Sequence, residues 1–64
     1  MKADRKKLEL AMARTCMSSK ELPVAAQLPR PTVQNVIVGK SVRPETLGKV
    51  AKALNCDPVE LLEE

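Results

Sequence analysis

In the stretch LPRPTVQNVIVGK, residues 28–40, the side chains with the most directed polar chemistry are Arg30, Gln34 and Asn35. A guanidinium presents N–H donors in a rigid plane, and a carboxamide pairs a donor with an acceptor. Each can grip a flat polar edge through two hydrogen bonds at once. They share a helical ladder with apolar rungs at Val33, Val36 and Ile37. If those rungs face a core, Arg30, Gln34 and Val38 line one outer ridge, and Pro31 and Asn35 the next. Either this is a core helix with an awkward proline-flanked start, or its polar side meets a partner.

Bond-making chemistry has little to stand on. The chain has no His, hence no Cys–His or Ser–His couple, and it has no glycine-rich phosphate loop. Sixty-four residues leave no room for a sizeable pocket, so an enzyme is the weakest reading. Cys16 and Cys56 lie 40 residues apart without a CxxC pair. A zinc site wants about four ligands, so neither a metal nor a cofactor is expected. Reduced thiols are expected, with Cys56 as a small core residue and Cys16 at a helix end.

The elements that must position these side chains follow from length and punctuation. Sixty-four residues make one domain, residues 1–64, close to the lower limit for folding without a staple. With no Phe, Tyr or Trp, the core must be built from Leu, Val, Ile, Met and Ala. Missing aromatics also count against single-strand or RNA binding by base stacking. Residues 1–52 hold all 11 Lys and Arg against four carboxylates, a net +7, and residues 53–64 hold four carboxylates alone. A basic body with an acidic end suits a polyanion on one face, although a solvated surface explains charge alone as well. No stretch approaches the ~20 apolar residues of a membrane span. The Lys2–Lys7 run leads into an amphipathic helix and not a signal-peptide core, so a cytoplasmic location is expected.

Five short helices are predicted and no strand, making an all-α bundle. The first runs from about Asp4 to Thr15, with Leu8, Ala11, Met12 and Thr15 at helical spacing. Ser18 and Glu21 spell a capping box for the second, which ends near Ala26. The third spans about Arg30 to Val38 and ends on Gly39 as a left-handed cap. Pro29 and Pro31 fall at or before its first turn, where N–H groups lack intrahelical partners, so they stiffen the start without losing a ladder bond. Pro44 opens the fourth at its first position, and Leu47, Val50, Ala51 and Leu54 form its buried stripe. Asp57, Pro58 and Glu60 read as N-cap, N1 and N3 of a fifth, "VELLEE". Leu61 and Leu62 cannot both face inward there, and the pattern does not choose between them.

Two short helices about three residues apart, the second polar on one side, describe a helix-turn-helix. In order and spacing, "MSSKEL", "RPTVQNV", "GK", "RPETLGKVAKALN" and "DPVELL" resemble the Cro/CI-type helix-turn-helix family of phage repressors and bacterial regulators, from Leu8 to Leu62. The resemblance implies a lambda-repressor-like DNA-binding domain whose recognition helix, residues 30–38, lies in the DNA major groove. Arg30 would then pair with guanine O6 and N7, and Gln34 and Asn35 with adenine N6 and N7. Pro31 and Thr32 complete the base-contacting set. Ser19 and Lys20, with Lys40, Ser41 and Arg43, take the positions that hold phosphates, while Lys2, Lys6 and Lys7 read first as solvated cations and second as a source of diffuse attraction.

The chain departs from the family pattern at several places. Ser19 is shorter than the usual Gln. Met12 and Ile37 replace a buried Arg–Glu pair, a change that packed apolar side chains tolerate. Gln27 stands at the turn glycine and should take a positive φ; Pro23 replaces a small residue where the motif helices cross. The reading is a DNA-binding regulator of transcription, a repressor by occupancy, on a palindromic double-stranded operator. It should pair weakly on DNA as a homodimer through Val59 and Leu62. The rival is a protein-interaction or antitoxin-like module on the same fold, with a protein co-regulator as partner.

Overall fold

A computed structural model describes residues 1–63. Four α-helices are present: α1 (Arg5–Arg14), α2 (Glu21–Ala26), α3 (Arg30–Ile37) and α4 (Pro44–Ala53). The expected fifth helix is instead one 3₁₀ turn, Pro58–Glu60, so the five-helix reading is corrected to four. The start of that turn follows the sequence: the Asp57 carboxylate accepts from the Val59 N–H, and the Glu60 carboxylate accepts from the Asp57 N–H. Its continuation fails because the backbone beyond it is already bonded elsewhere. The Leu61 carbonyl accepts from the Asp4 N–H at 2.7 Å, and the Glu63 N–H donates to the Lys2 carbonyl at 3.0 Å. Ala3 and Leu62 thereby form an isolated antiparallel bridge, and no strand occurs among the described residues.

The helix starts are fixed by local chemistry. The Asp4 carboxylate accepts from the Lys7 N–H at 3.0 Å. Ser18 and Glu21 exchange the two bonds of a capping box, at 3.2 and 3.4 Å, and a turn at Ser19–Lys20 precedes the regular part of α2. The ends share one device. The residues after the last turns of α1, α2, α3 and α4, namely Cys16, Gln27, Gly39 and Asn55, all have positive φ. Each is followed by a long-reach bond back into its helix: Met17 to Met12, Leu28 to Pro23, Lys40 to Asn35, and Cys56 to Ala51. These are Schellman closures, which satisfy the last carbonyls with left-handed backbone. Only Gly39 adopts that backbone without a side-chain penalty.

Gln27 tests that account. It is exposed at φ 56°, so Gln27→Gly loses no packing and relieves the left-handed strain. Relief of ~1–2 kcal/mol exceeds the unfolded-state cost of a glycine, ~0.4–1 kcal/mol. The urea midpoint should rise by an amount worth about 0.5–1 kcal/mol at unchanged m-value. A lowered midpoint would show that Gln27 does more than turn the chain.

The core contains Leu8 and Ala11 of α1, Leu22 and Ala26 of α2, Val33 and Val36 of α3, and Leu47, Val50 and Ala51 of α4, with Ala3, Leu54 and Leu61 beside them. Of the two tail leucines, Leu61 is the one fully buried, and Leu62 is half-buried. Met12 and Ile37 are both half-buried against this core. No polar or charged side chain is buried among the described residues, so apolar packing occupies the interior without an ion pair. Pro23 is also buried, and α2 still packs on both α3 and α4. No described helix is long and apolar enough to cross a membrane.

Candidate nucleic-acid interface

Pro29 holds extended backbone, with φ −60° and ψ 145°, at the head of α3, and Pro31 sits in the first turn. The Pro29 carbonyl accepts from the N–H groups of Thr32 and Val33 at 3.1 and 3.2 Å. The helix therefore begins sharply at Arg30, which is exposed at its first position. Val33 and Val36 anchor the inner side at 1% and 0% exposure, with Ile37 half-buried beside them. Fixing that side sends Pro31, Gln34, Asn35 and Val38 outward, and all four are exposed. Thr32 is half-buried, on the flank of the helix.

The packing of α2 on α3 brings two of the expected groups together. One open groove is lined by Ser19, Lys20, Arg30, Pro31, Val33 and Gln34. The start of α2 and the exposed side of α3 thus share a concave surface with Lys20 and Arg30 as its cations. The two planar groups Arg30 and Gln34 sit one helical turn apart on it. Asn35 lies on the neighbouring ridge, outside the lining of that groove.

Lys40, Ser41 and Arg43 occupy the loop between α3 and α4, and all three are exposed. The Arg43 guanidinium lies 4.0 Å from the Glu45 carboxylate, with both side chains largely in solvent. An exposed pair of this kind contributes little and leaves Arg43 available to another anion. The Ser41 hydroxyl accepts from the Met1 amino group at 3.4 Å, and its own proton remains to donate. Lys7 is engaged by the tail, its ammonium donating to the Leu62 carbonyl at 3.2 Å. Arg5 faces Glu9 on the exposed side of α1.

Sequence reasoning missed the backbone bonds between Met1 and Val42 of this loop, and it missed Glu45 as the neighbour of Arg43. The second carried a signal: a carboxylate two residues past a cation, across the start of α4. The first carried none, because the bonds are made by backbone. Cys16 is exposed and Cys56 half-buried, both as free thiols. Burial, with Glu60 and Asp57 nearby, pushes the Cys56 thiol up against the opposing pull of Arg14. That shift disfavours the thiolate, the form in which a cysteine reacts.

No curated protein and no solved structure gives a match. The Cro/C1-type HTH DNA-binding domain matches residues 7–63. That range takes in α2, α3 and α4, all of α1 after its first two residues, the α2–α3 groove and the loop after α3. By that match the chain belongs to the Cro/C1-type helix-turn-helix family and is a DNA-binding regulator of transcription.

Proposed function

We propose that this regulator binds a specific double-stranded DNA site and represses by occupying it, with α3 in the major groove. The observation that carries the reading is the groove in which Arg30 and Gln34, two planar base readers, are flanked by Ser19 and Lys20. A major-groove edge suits the first pair, and the phosphate backbone beside it suits the second. Asn35 and Pro31 extend the reading surface, and Thr32 contributes from the flank. Lys40, Ser41 and Arg43 hold phosphates on the far side of α3, and Gly39 ends the helix so that this loop turns away from the bases. No cofactor enters the reading, and a cytoplasmic location goes with it.

Selecting bound sequences from a random duplex pool tests the proposal. A recovered consensus, with affinity falling steeply as salt rises, is the expected result. A pool that returns no consensus would leave the protein-partner reading in its place. Lys40→Ala and Arg43→Ala should weaken binding to all duplexes alike and shrink the salt slope by about one unit each. A sequence-selective loss at constant slope would reassign them to base readout.

The site is proposed to be palindromic, because one short helix covers too few base pairs for selectivity over a genome. Two copies related by a two-fold axis would place their recognition helices about 34 Å apart, one turn of DNA. Val59 is 64% exposed and offers the apolar contact. Leu62, held half-buried by its bridge to Ala3, adds a flank. So small a patch supports pairing on DNA and little in free solution. Ultracentrifugation with and without a palindromic duplex decides this. A one-to-one complex on the best selected site, without half-site symmetry, would sink the dimer.

A further inference from the structure

Residues 1–4 run extended between two parts of the molecule that differ in charge and role. On one edge Met1 and Val42 exchange both backbone bonds: the Val42 N–H donates to the Met1 carbonyl at 2.7 Å, and the Met1 amino group donates to the Val42 carbonyl at 2.9 Å. On the other edge the Asp4 N–H donates to the Leu61 carbonyl, and the Lys2 carbonyl accepts from Glu63. Between them Ala3 is 2% exposed and packed into the core. The Ala3 carbonyl also passes 3.8 Å from where a side chain on Gly39 would begin.

Val42 is the middle of the loop that carries Lys40, Ser41 and Arg43. Both of its backbone polar groups are committed to Met1, so the loop is tied at its centre as well as at its ends. The ends are the Schellman closure at Gly39–Lys40 and the proline start of α4 at Pro44. A loop whose three polar side chains must meet phosphates spaced along a duplex loses affinity if its backbone wanders, since ordering it on binding costs entropy.

We propose that residues 1–4 are a positioning strip, which takes its own support from the tail at Leu61–Glu63 and holds the 40–43 loop in register for DNA phosphates. This rests on the DNA reading of that loop. None of the strip's side chains needs to touch DNA; it acts through Lys40, Ser41 and Arg43. Its loss weakens all duplexes equally and leaves base preference where α3 sets it.

Deleting residues 1–3 is a poor test, because it removes buried Ala3. The chain is short enough for chemical synthesis, so the Val42 amide can be replaced by an ester, which deletes one N–H and keeps every side chain. An ester at Asn55, whose N–H bonds Lys52 at 3.1 Å at the far end of α4, is the matched control. The Val42 ester should bind both a selected site and random duplex about three- to tenfold more weakly, with the same base preference, as expected for one backbone bond. Its amides at residues 39–41 and 43 should exchange faster in the free protein, while the Asn55 ester stays within twofold of the wild-type affinity. An unchanged affinity, an unchanged loop exchange or an equal loss in the Asn55 ester overturns the positioning strip and leaves the DNA reading intact. A wild-type protein without salt-dependent duplex binding overturns the DNA reading itself.

Discussion

Leu22→Ala is expected to leave the chain largely unfolded at 25 °C. Leu22 is 0% exposed in α2, the helix that packs against both α3 and α4. Truncating a buried leucine costs ~2–5 kcal/mol, the transfer of the lost methyl groups plus the cavity left behind. A 64-residue core whose two cysteines are free thiols supplies roughly 3–5 kcal/mol in total. The loss is therefore of the size of the whole stability. No aromatic side chain is present to swing into the gap. Far-UV circular dichroism should show most helical signal gone, and duplex binding should fall with it. Val24→Ala, two residues on but 79% exposed, should move the unfolding midpoint by no more than ~0.5 kcal/mol. A cooperative transition at the wild-type midpoint for Leu22→Ala would mean that α2 is not held by this core.

The contrast between Leu22 and Val24 also shows what kind of information the sequence carried. Helix starts were legible because their signals are local: Ser18 with Glu21, Pro29 with Pro31, Pro44, and Asp57 with Glu60 each act within three residues, while the cap bond that Asp4 makes went unread. The left-handed ends were legible where glycine marks one, at Gly39, and at Gln27 through the family's turn glycine. Cys16 and Asn55 escaped notice, at φ of 55° and 54°. Cysteine gives no sign of a left-handed end, whereas Asn55 did carry one, since asparagine takes that backbone more readily than most side chains. The tail was half legible. Its cap was written in Asp57–Pro58–Glu60, but its arrest after one turn depends on backbone partners more than fifty residues away. The same limit applies to the candidate site. That Arg30, Gln34 and Asn35 point outward follows from valine spacing alone. That Ser19 and Lys20 share a groove with the first two, and Asn35 does not, depends on how α2 crosses α3.

That division of the reading surface predicts unequal losses when its side chains are removed. Arg30→Ala, Gln34→Ala and Asn35→Ala should each cost roughly 1–3 kcal/mol at the selected site, the discrimination carried by a bidentate pair. Arg30 should lose the most, because its truncation removes both a base contact and a cation. Its loss should therefore extend to random duplex and reduce the salt slope, whereas the two amides should leave non-specific binding nearly unchanged. Gln34, in the groove beside Arg30, should relax preference at a base pair adjacent to the one Arg30 reads. Asn35, on the next ridge, should act at a separate position, so the Arg30–Asn35 double variant should be close to additive and the Arg30–Gln34 double variant should not. All three residues are exposed, so folding midpoints should stay near wild type and any loss of affinity belongs to recognition. The measurement is a binding isotherm for each variant against the selected duplex, its single-base substitutions and a random duplex, at two salt concentrations. Three variants that keep the wild-type base preference would show that DNA is read by some face other than the outer side of α3.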